Sequence, residues 1–94
     1  MSALPPQVAI PDDVVSEVFD GQAVILNLRT GTYFSLNATG ARFWELLAND
    51  GDVARAREVM LQEYAVSADK LDSDLSALVS QLVERTLLIA RAAP

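Results

Sequence analysis

Histidine and cysteine are both absent from the 94 residues. With them go the usual metal ligands, the thiol nucleophile and the commonest general base. Chemistry would have to come from carboxylates, hydroxyls and a few amines. Asp69, Asp72 and Asp74 stand close together where a helical pattern begins. Spacings of three and two spread these groups around a helix, unlike ligands from a loop that folds around Ca²⁺. Carboxylates in a first turn also interact favourably with the helix dipole, which accounts for the cluster without a metal. Asp12-Asp13 and Asp50-Gly51-Asp52 lie in turn sequences with no partner base, so they read as solvated turn residues. Gly31 and Gly40 do not form a phosphate loop, since no glycine-rich run opens a helix with a lysine. No catalytic residue, metal or cofactor is expected.

Seven Lys and Arg against thirteen Asp and Glu give a net charge of -6. The cations are scattered, so no stripe exists to neutralise phosphates, and nucleic acid is not the expected partner. Hydrophobic residues make up 51% of the chain, but no apolar run approaches the roughly 20 residues needed to span a bilayer. Met1 to Pro11 has no Lys or Arg and contains Pro5, Pro6 and Pro11, which fits no signal or transit peptide. A cytoplasmic protein is expected, and the lack of cysteine agrees with that compartment.

The elements that would position any site follow from periodicity. Strands are expected at about Val14 to Phe19, Ala23 to Leu28 and Thr32 to Leu36, joined as an antiparallel meander. Asp20-Gly21 supplies the first turn. A three-residue loop, Arg29-Thr30-Gly31 with Gly31 left-handed, sets Leu26 against Phe34 and Val24 against Leu36. It places Val24, Leu26, Leu28, Phe34 and Leu36 on one face. A two-residue loop would mix the faces.

Beyond Leu36 the period becomes helical. Asn37 caps a first helix with Ala41, Trp44 and Leu47 on its apolar face, and Asp52 caps a second with Val53, Ala56, Met60, Leu61 and Tyr64. Ser67 opens a third, with a stripe of Leu71, Leu75, Leu78 and Leu82 widened by Val79 and Val83. Phe43, Trp44 and Tyr64 read as core aromatics. Leu87 to Ile89 are apolar enough to pack back, and Ala92, Ala93 and Pro94 are expected to fray. Strands followed by helices make an α+β domain. Residues 1–13 read as an extended arm, 14–90 as the domain and 91–94 as a tail.

Nothing after the third strand is available to pair with its other edge. Thr32-Tyr33-Phe34-Ser35-Leu36 carries no Lys, Pro or bulge to protect that edge. An open edge beside an amphipathic helix is what peptide binding by strand addition requires. On the helical wheel, Asp72, Ser76, Val79 and Val83 extend the apolar stripe to one side, whereas Lys70, Asp74, Ala77 and Gln81 make the other side polar. The expected groove is therefore lined by Thr32, Tyr33, Phe34, Ser35, Leu36, Asp72, Leu75, Ser76, Val79 and Val83, with Asp72 offered to a basic residue of the peptide.

Asp20-Gly21-Gln22-Ala23-Val24-Ile25-Leu26-Asn27-Leu28, Thr30-Gly31-Thr32-Tyr33-Phe34-Ser35-Leu36-Asn37 and Gly40-Ala41-Arg42-Phe43-Trp44-Glu45-Leu46-Leu47 together resemble the PqqD-like family. Tyr64-Ala65-Val66, Asp74-Leu75 and Leu82-Val83-Glu84-Arg85-Thr86-Leu87-Leu88 extend the resemblance to the second and third helices. It implies a three-stranded sheet and three helices in a winged-helix-like arrangement. It also implies a non-catalytic recognition element for ribosomally made, modified peptides. The leader of the precursor is added as a strand on the third strand's edge, beside the third helix, and the core peptide is delivered to a separate enzyme. Carried to this chain, those elements are Thr32 to Leu36 and about Ala68 to Arg85. Thr86 departs from the glycine the family often has after that helix, so a stop other than the left-handed glycine cap is expected. Lasso-peptide maturation, with a cysteine protease as recipient, is the leading subclass, and partnership with a radical S-adenosylmethionine enzyme is the other.

Two rivals come from other classes. A winged-helix DNA-binding regulator is opposed by the third helix, where Asp69, Asp72, Asp74 and Glu84 outnumber Lys70 and Arg85. A structural dimerisation module would pair the open strand with its own copy. The expected protein is a monomer or weak dimer.

Overall fold

The computed structural model describes residues 4–91, so the expected fraying of residues 92–94 lies outside the described residues. In chain order the elements are β1 (Gln7–Ala9), β2 (Val14–Phe19), β3 (Gln22–Asn27), β4 (Tyr33–Leu36), α1 (Ala38–Asp50), α2 (Val53–Glu63), α3 (Ala68–Glu84) and β5 (Ile89–Arg91). β2, β3 and β4 form a three-stranded antiparallel sheet with β3 in the middle, and the three helices follow it. The α+β class expected from the sequence is the class observed.

Asp20 and Gly21 both adopt positive φ between Phe19 and Gln22, as a two-residue hairpin turn demands. The second hairpin differs from expectation. Asn27 N–H donates to Thr32 O and Gly31 N–H to Asn27 O, both at 2.8 Å, so the loop has four residues and begins at Leu28. Gly31 does hold the left-handed position, at φ 78°. The cause of the extra residue is Asn27, which is 1% exposed. Its Oδ1 accepts from Arg29 N–H at 2.9 Å and Thr30 N–H at 3.1 Å, which turns the chain before Leu28 can continue the strand.

The pairing is therefore Ala23 with Leu36, Val24 with Ser35, Ile25 with Phe34 and Leu26 with Tyr33. A shift of one residue exchanges the faces of one strand relative to the other. Ala23, Ile25 and Asn27 of β3 are buried, with Leu36 opposite them, whereas Val24 and Leu26 turn to the outer face and Leu28 is 62% exposed. The expected shared face of Val24, Leu26, Leu28, Phe34 and Leu36 is corrected accordingly.

The helix caps are those read from the sequence. Asn37, Asp52 and Ser67 accept from the backbone of Gly40, Arg55 and Lys70 respectively. α1 ends at Gly51, whose φ of 71° and contact with β1 both exclude a side chain, since a Cβ there would come within 2.1 Å of Val8 O. α1 lies against β3 and β4, and α2 bridges α1 and α3. Arg42 and Glu63 join α1 to α2 through two hydrogen bonds of 2.9 and 2.7 Å, which hold the Glu63 carboxyl below the usual range. The buried core takes Phe43, Trp44 and Leu47 from α1, Ala56 and Met60 from α2, and Leu71, Leu75, Val79 and Leu82 from α3.

A second, two-stranded sheet pairs β1 with β5, Val8 opposite Ala90. Within the segment read as an arm, Val8 is buried and its N–H donates to Gly51 O at 3.0 Å. Leu87 and Leu88 are buried just before β5, whereas Ile89 is exposed.

α3 stops at the left-handed cap that Thr86 was expected to disfavour. Thr86 has φ 61°, its N–H donates to Val83 O at 3.0 Å, and Leu87 N–H donates to Leu82 O at 2.8 Å. Asn27 Nδ2 donates to Thr86 O at 2.9 Å and fastens the cap to the hairpin. A left-handed residue with a Cβ costs roughly 1–2 kcal/mol, and glycine gives back roughly 0.5–1 kcal/mol through its freer unfolded chain. Thr86→Gly is therefore expected to raise stability by about 0.5–1 kcal/mol, read from the urea midpoint at unchanged slope.

Candidate functional site

β4 is an edge strand, and among the described residues nothing pairs with its outer side. Which backbone groups point outward follows from the Asn27 N–H to Thr32 O bond. Hydrogen-bonded and non-hydrogen-bonded pairs alternate along an antiparallel ladder, so Phe34 and Leu36 bond to β3 while Tyr33 and Ser35 turn N–H and C=O to the free edge. Their side chains lie on the outer sheet face, where Tyr33 is 66% exposed.

On the opposite face, a cleft of about 350 Å³ separates this edge from α3. It exists because the α3 backbone packs closely on α2 and on no strand to the same degree. Phe34 and Leu36 form one wall, Leu75 and Leu78 the other, and Asn37, Thr39 and Gly40 close the end at the start of α1. Gly40 is buried, and a Cβ there would press on Leu36 Cδ2 at 3.3 Å. Asp74 lies at the same end, paired with Lys70 at 3.1 Å. At the other end the Arg85 guanidinium stacks over the Phe34 ring, 5.1 Å from its centroid. α3 thus runs antiparallel to β4.

Of the expected groove residues, the structure brings Phe34, Ser35, Leu36 and Leu75 together at the cleft. Thr32 follows the hairpin loop and closes it by accepting from Asn27 N–H, and Tyr33 contributes its edge backbone. The flank of Asp72, Ser76, Val79 and Val83 turns elsewhere. Ser76, Val79 and Val83 line a different concavity with Pro5 and Ala90, and the Asp72 carboxylate is taken by Arg57 of α2 through two hydrogen bonds. That contact engages both Asp72 carboxylate oxygens within the chain and holds the Arg57 guanidinium above its ordinary pKa. Val79 is buried, and the Ser76 Oγ is buried with no hydrogen-bond partner among the described residues. The wheel locates the apolar stripe but not the side turned to the sheet, and α3 turns the side bearing Asp74 and Leu78. Asp74, Leu78, Arg85 and the buried Asn27 are the residues that sequence reasoning missed. Only Asn27 carried a local signal, as a polar residue within an apolar strand.

The outer sheet face is a second apolar surface, a dish lined by Val15, Glu17, Phe19, Val24 and Leu26. Val15 and Phe19 are exposed there. No helix among the described residues is long and apolar enough to cross a membrane.

Residues 22–88 match the family described as Coenzyme PQQ synthesis protein D (PqqD). No curated protein matches the chain. Two solved structures are similar over nearly its whole length. One is TbiB1 in complex with the TbiA(beta) leader peptide, with 36% identity over 89% of this chain and 98% of that one, at a TM-score of 0.81. The other is a lasso peptide synthetase B1 complexed with its leader peptide, with 25% identity over 88% and 98% of the two chains, at a TM-score of 0.76. Sheet, helices and sequence agree, and the chain belongs to the PqqD family.

Proposed function

We propose that this protein is a non-catalytic recognition element that binds the leader segment of a ribosomally made precursor peptide. The leader is added as a strand along β4, in the cytoplasm, and presented to a separate modifying enzyme or leader peptidase. The recognition unit is residues 14–90, with β1 fastened to its last strand. One observation carries the reading: a strand edge unpaired among the described residues lies beside a cleft between β4 and α3 whose side walls are Phe34, Leu36, Leu75 and Leu78. Backbone bonds from Tyr33 and Ser35 would supply register, and Phe34, Leu36, Leu75 and Leu78 would receive alternate side chains. TbiB1 and the lasso peptide synthetase B1 were solved with leader peptides, which supports lasso-peptide maturation as the pathway.

Titration of a labelled TbiA(beta) leader peptide tests the reading. Leu78 is half-buried in the cleft wall, so Leu78→Glu is expected to weaken binding by more than about 1 kcal/mol through a charge placed among Phe34, Leu36 and Leu75. Val83→Glu, on the other side of α3, is expected to bind like the wild type. The opposite ranking would assign the site to the Ser76 and Val83 side, and no binding by the wild type would defeat the proposal. A gel shift with random duplex at low salt tests the DNA-binding alternative, with no shift expected.

The apolar outer face favours self-association as a second reading. Mass measured at several concentrations, with and without peptide, separates a dimer from a monomer that waits for its ligand.

A further inference from the structure

Of the seven Lys and Arg, Arg29, Arg42, Arg55, Arg57 and Lys70 each pair with a carboxylate, and Arg91 lies in the separate β1–β5 ribbon rather than at the cleft. Arg85 has no carboxylate partner among the described residues. Its guanidinium carbon lies over the ring of Phe34, the cleft wall contributed by β4. Two constraints hold it there: the α3 cap at Arg85-Thr86, and the Asn27 bond to Thr86 O. A cation over a ring uses none of its N–H donors in that contact, so the Arg85 guanidinium keeps its planar fork for a carboxylate.

The surroundings make such an attraction local. The chain carries a net charge of -6, so an acidic ligand is repelled by most of the surface. Within the cleft the two ends differ in charge, since Asp74 is paired with Lys70 at one and Arg85 has no carboxylate partner among the described residues at the other. Asp74 stands beside Leu75 and Leu78 at the Leu36 end, and Arg85 stands alone at the Phe34 end. Side chains of an added strand that enter the cleft do so at every second residue. One such position passes Phe34 and Arg85, and the next passes Leu36 near Asp74.

We propose that Arg85 is a specificity-determining residue that reads a carboxylate side chain of the bound peptide at the position passing Phe34. The inference rests on strand addition at β4. A bland alternative is that Arg85 merely complements the C-terminal dipole of α3, which would affect stability but not peptide preference.

The probe is the labelled TbiA(beta) leader peptide in two series, one with each residue in turn replaced by Glu and one by Lys. Both are titrated against wild type, Arg85→Met and Arg85→Glu, with urea midpoints recorded for each protein. For wild type, Glu is expected to bind about tenfold more tightly than Lys at one cleft-facing position. That preference disappears in Arg85→Met, whose apolar chain can still cover Phe34, and reverses in Arg85→Glu. A difference that persists in Arg85→Met, or that is uniform along the peptide, overturns the role of Arg85 while leaving strand addition standing. If no member of either series binds any of the three proteins, strand addition falls and the inference with it.

Discussion

Trp44→Ala is expected to lower the stability of the protein by about 3 to 5 kcal/mol. Trp44 is 3% exposed on α1, within a core shared with Phe43, Leu47 and the buried leucines of α3. Removal of the indole takes away its transfer free energy and leaves a cavity that helices fixed by their caps fill only in part. Domains of this kind have about 5–15 kcal/mol of stability in all, so the variant is expected to lose a large share of it and to melt well below the wild type. One term acts in the other direction. The indole Nε1 is buried with no hydrogen-bond partner among the described residues, and an unmet buried donor costs about 1–3 kcal/mol. Trp44→Phe removes that donor while keeping much of the apolar volume, so its cost is expected to stay below about 2 kcal/mol. Urea unfolding of both variants checks the pair. A loss under about 1 kcal/mol for Trp44→Ala would place the side chain outside the core.

The same distinction between local and tertiary causes explains what could be read in advance. Asp20-Gly21, Asn37, Asp52 and Ser67 act through hydrogen bonds and φ angles within a few residues, and each does in the structure what its sequence context implied. The hairpin register failed by one residue because it depends on Asn27, whose amide reaches Thr86, 59 residues further along the chain. The β1–β5 ribbon was missed for a related reason. Strands of three residues show too little alternation to be recognised, and Pro5, Pro6 and Pro11 obscure the first of them. The cleft was half legible. Its strand edge follows from the absence of any later partner, but the side of α3 that faces it is set by the packing of α3 on α2 and by the Arg57–Asp72 pair.

Register also decides the sharpest test of the edge. Ser35 lies at a non-hydrogen-bonded position against Val24, so its N–H points away from β3 to where an added peptide strand would accept it. Ser35→Pro removes that donor and puts ring carbons in its place, without removing a bond of the β3–β4 ladder. Phe34→Pro would instead delete a ladder bond and disturb a side chain that Arg85 covers, so it would confuse folding with binding. If a leader peptide is added as a strand along β4, Ser35→Pro is expected to weaken its binding about tenfold or more, combining a lost hydrogen bond with a steric block at the edge. Ser35→Ala keeps the backbone donor and is expected to bind as the wild type does, since the Ser35 side chain lies on the outer face. Circular dichroism and the urea midpoint establish that both variants are folded before titration. Wild-type affinity in a folded Ser35→Pro protein would show that the peptide does not pair with β4. Equal losses in Ser35→Pro and Ser35→Ala would move recognition from the backbone edge to the outer face of the sheet.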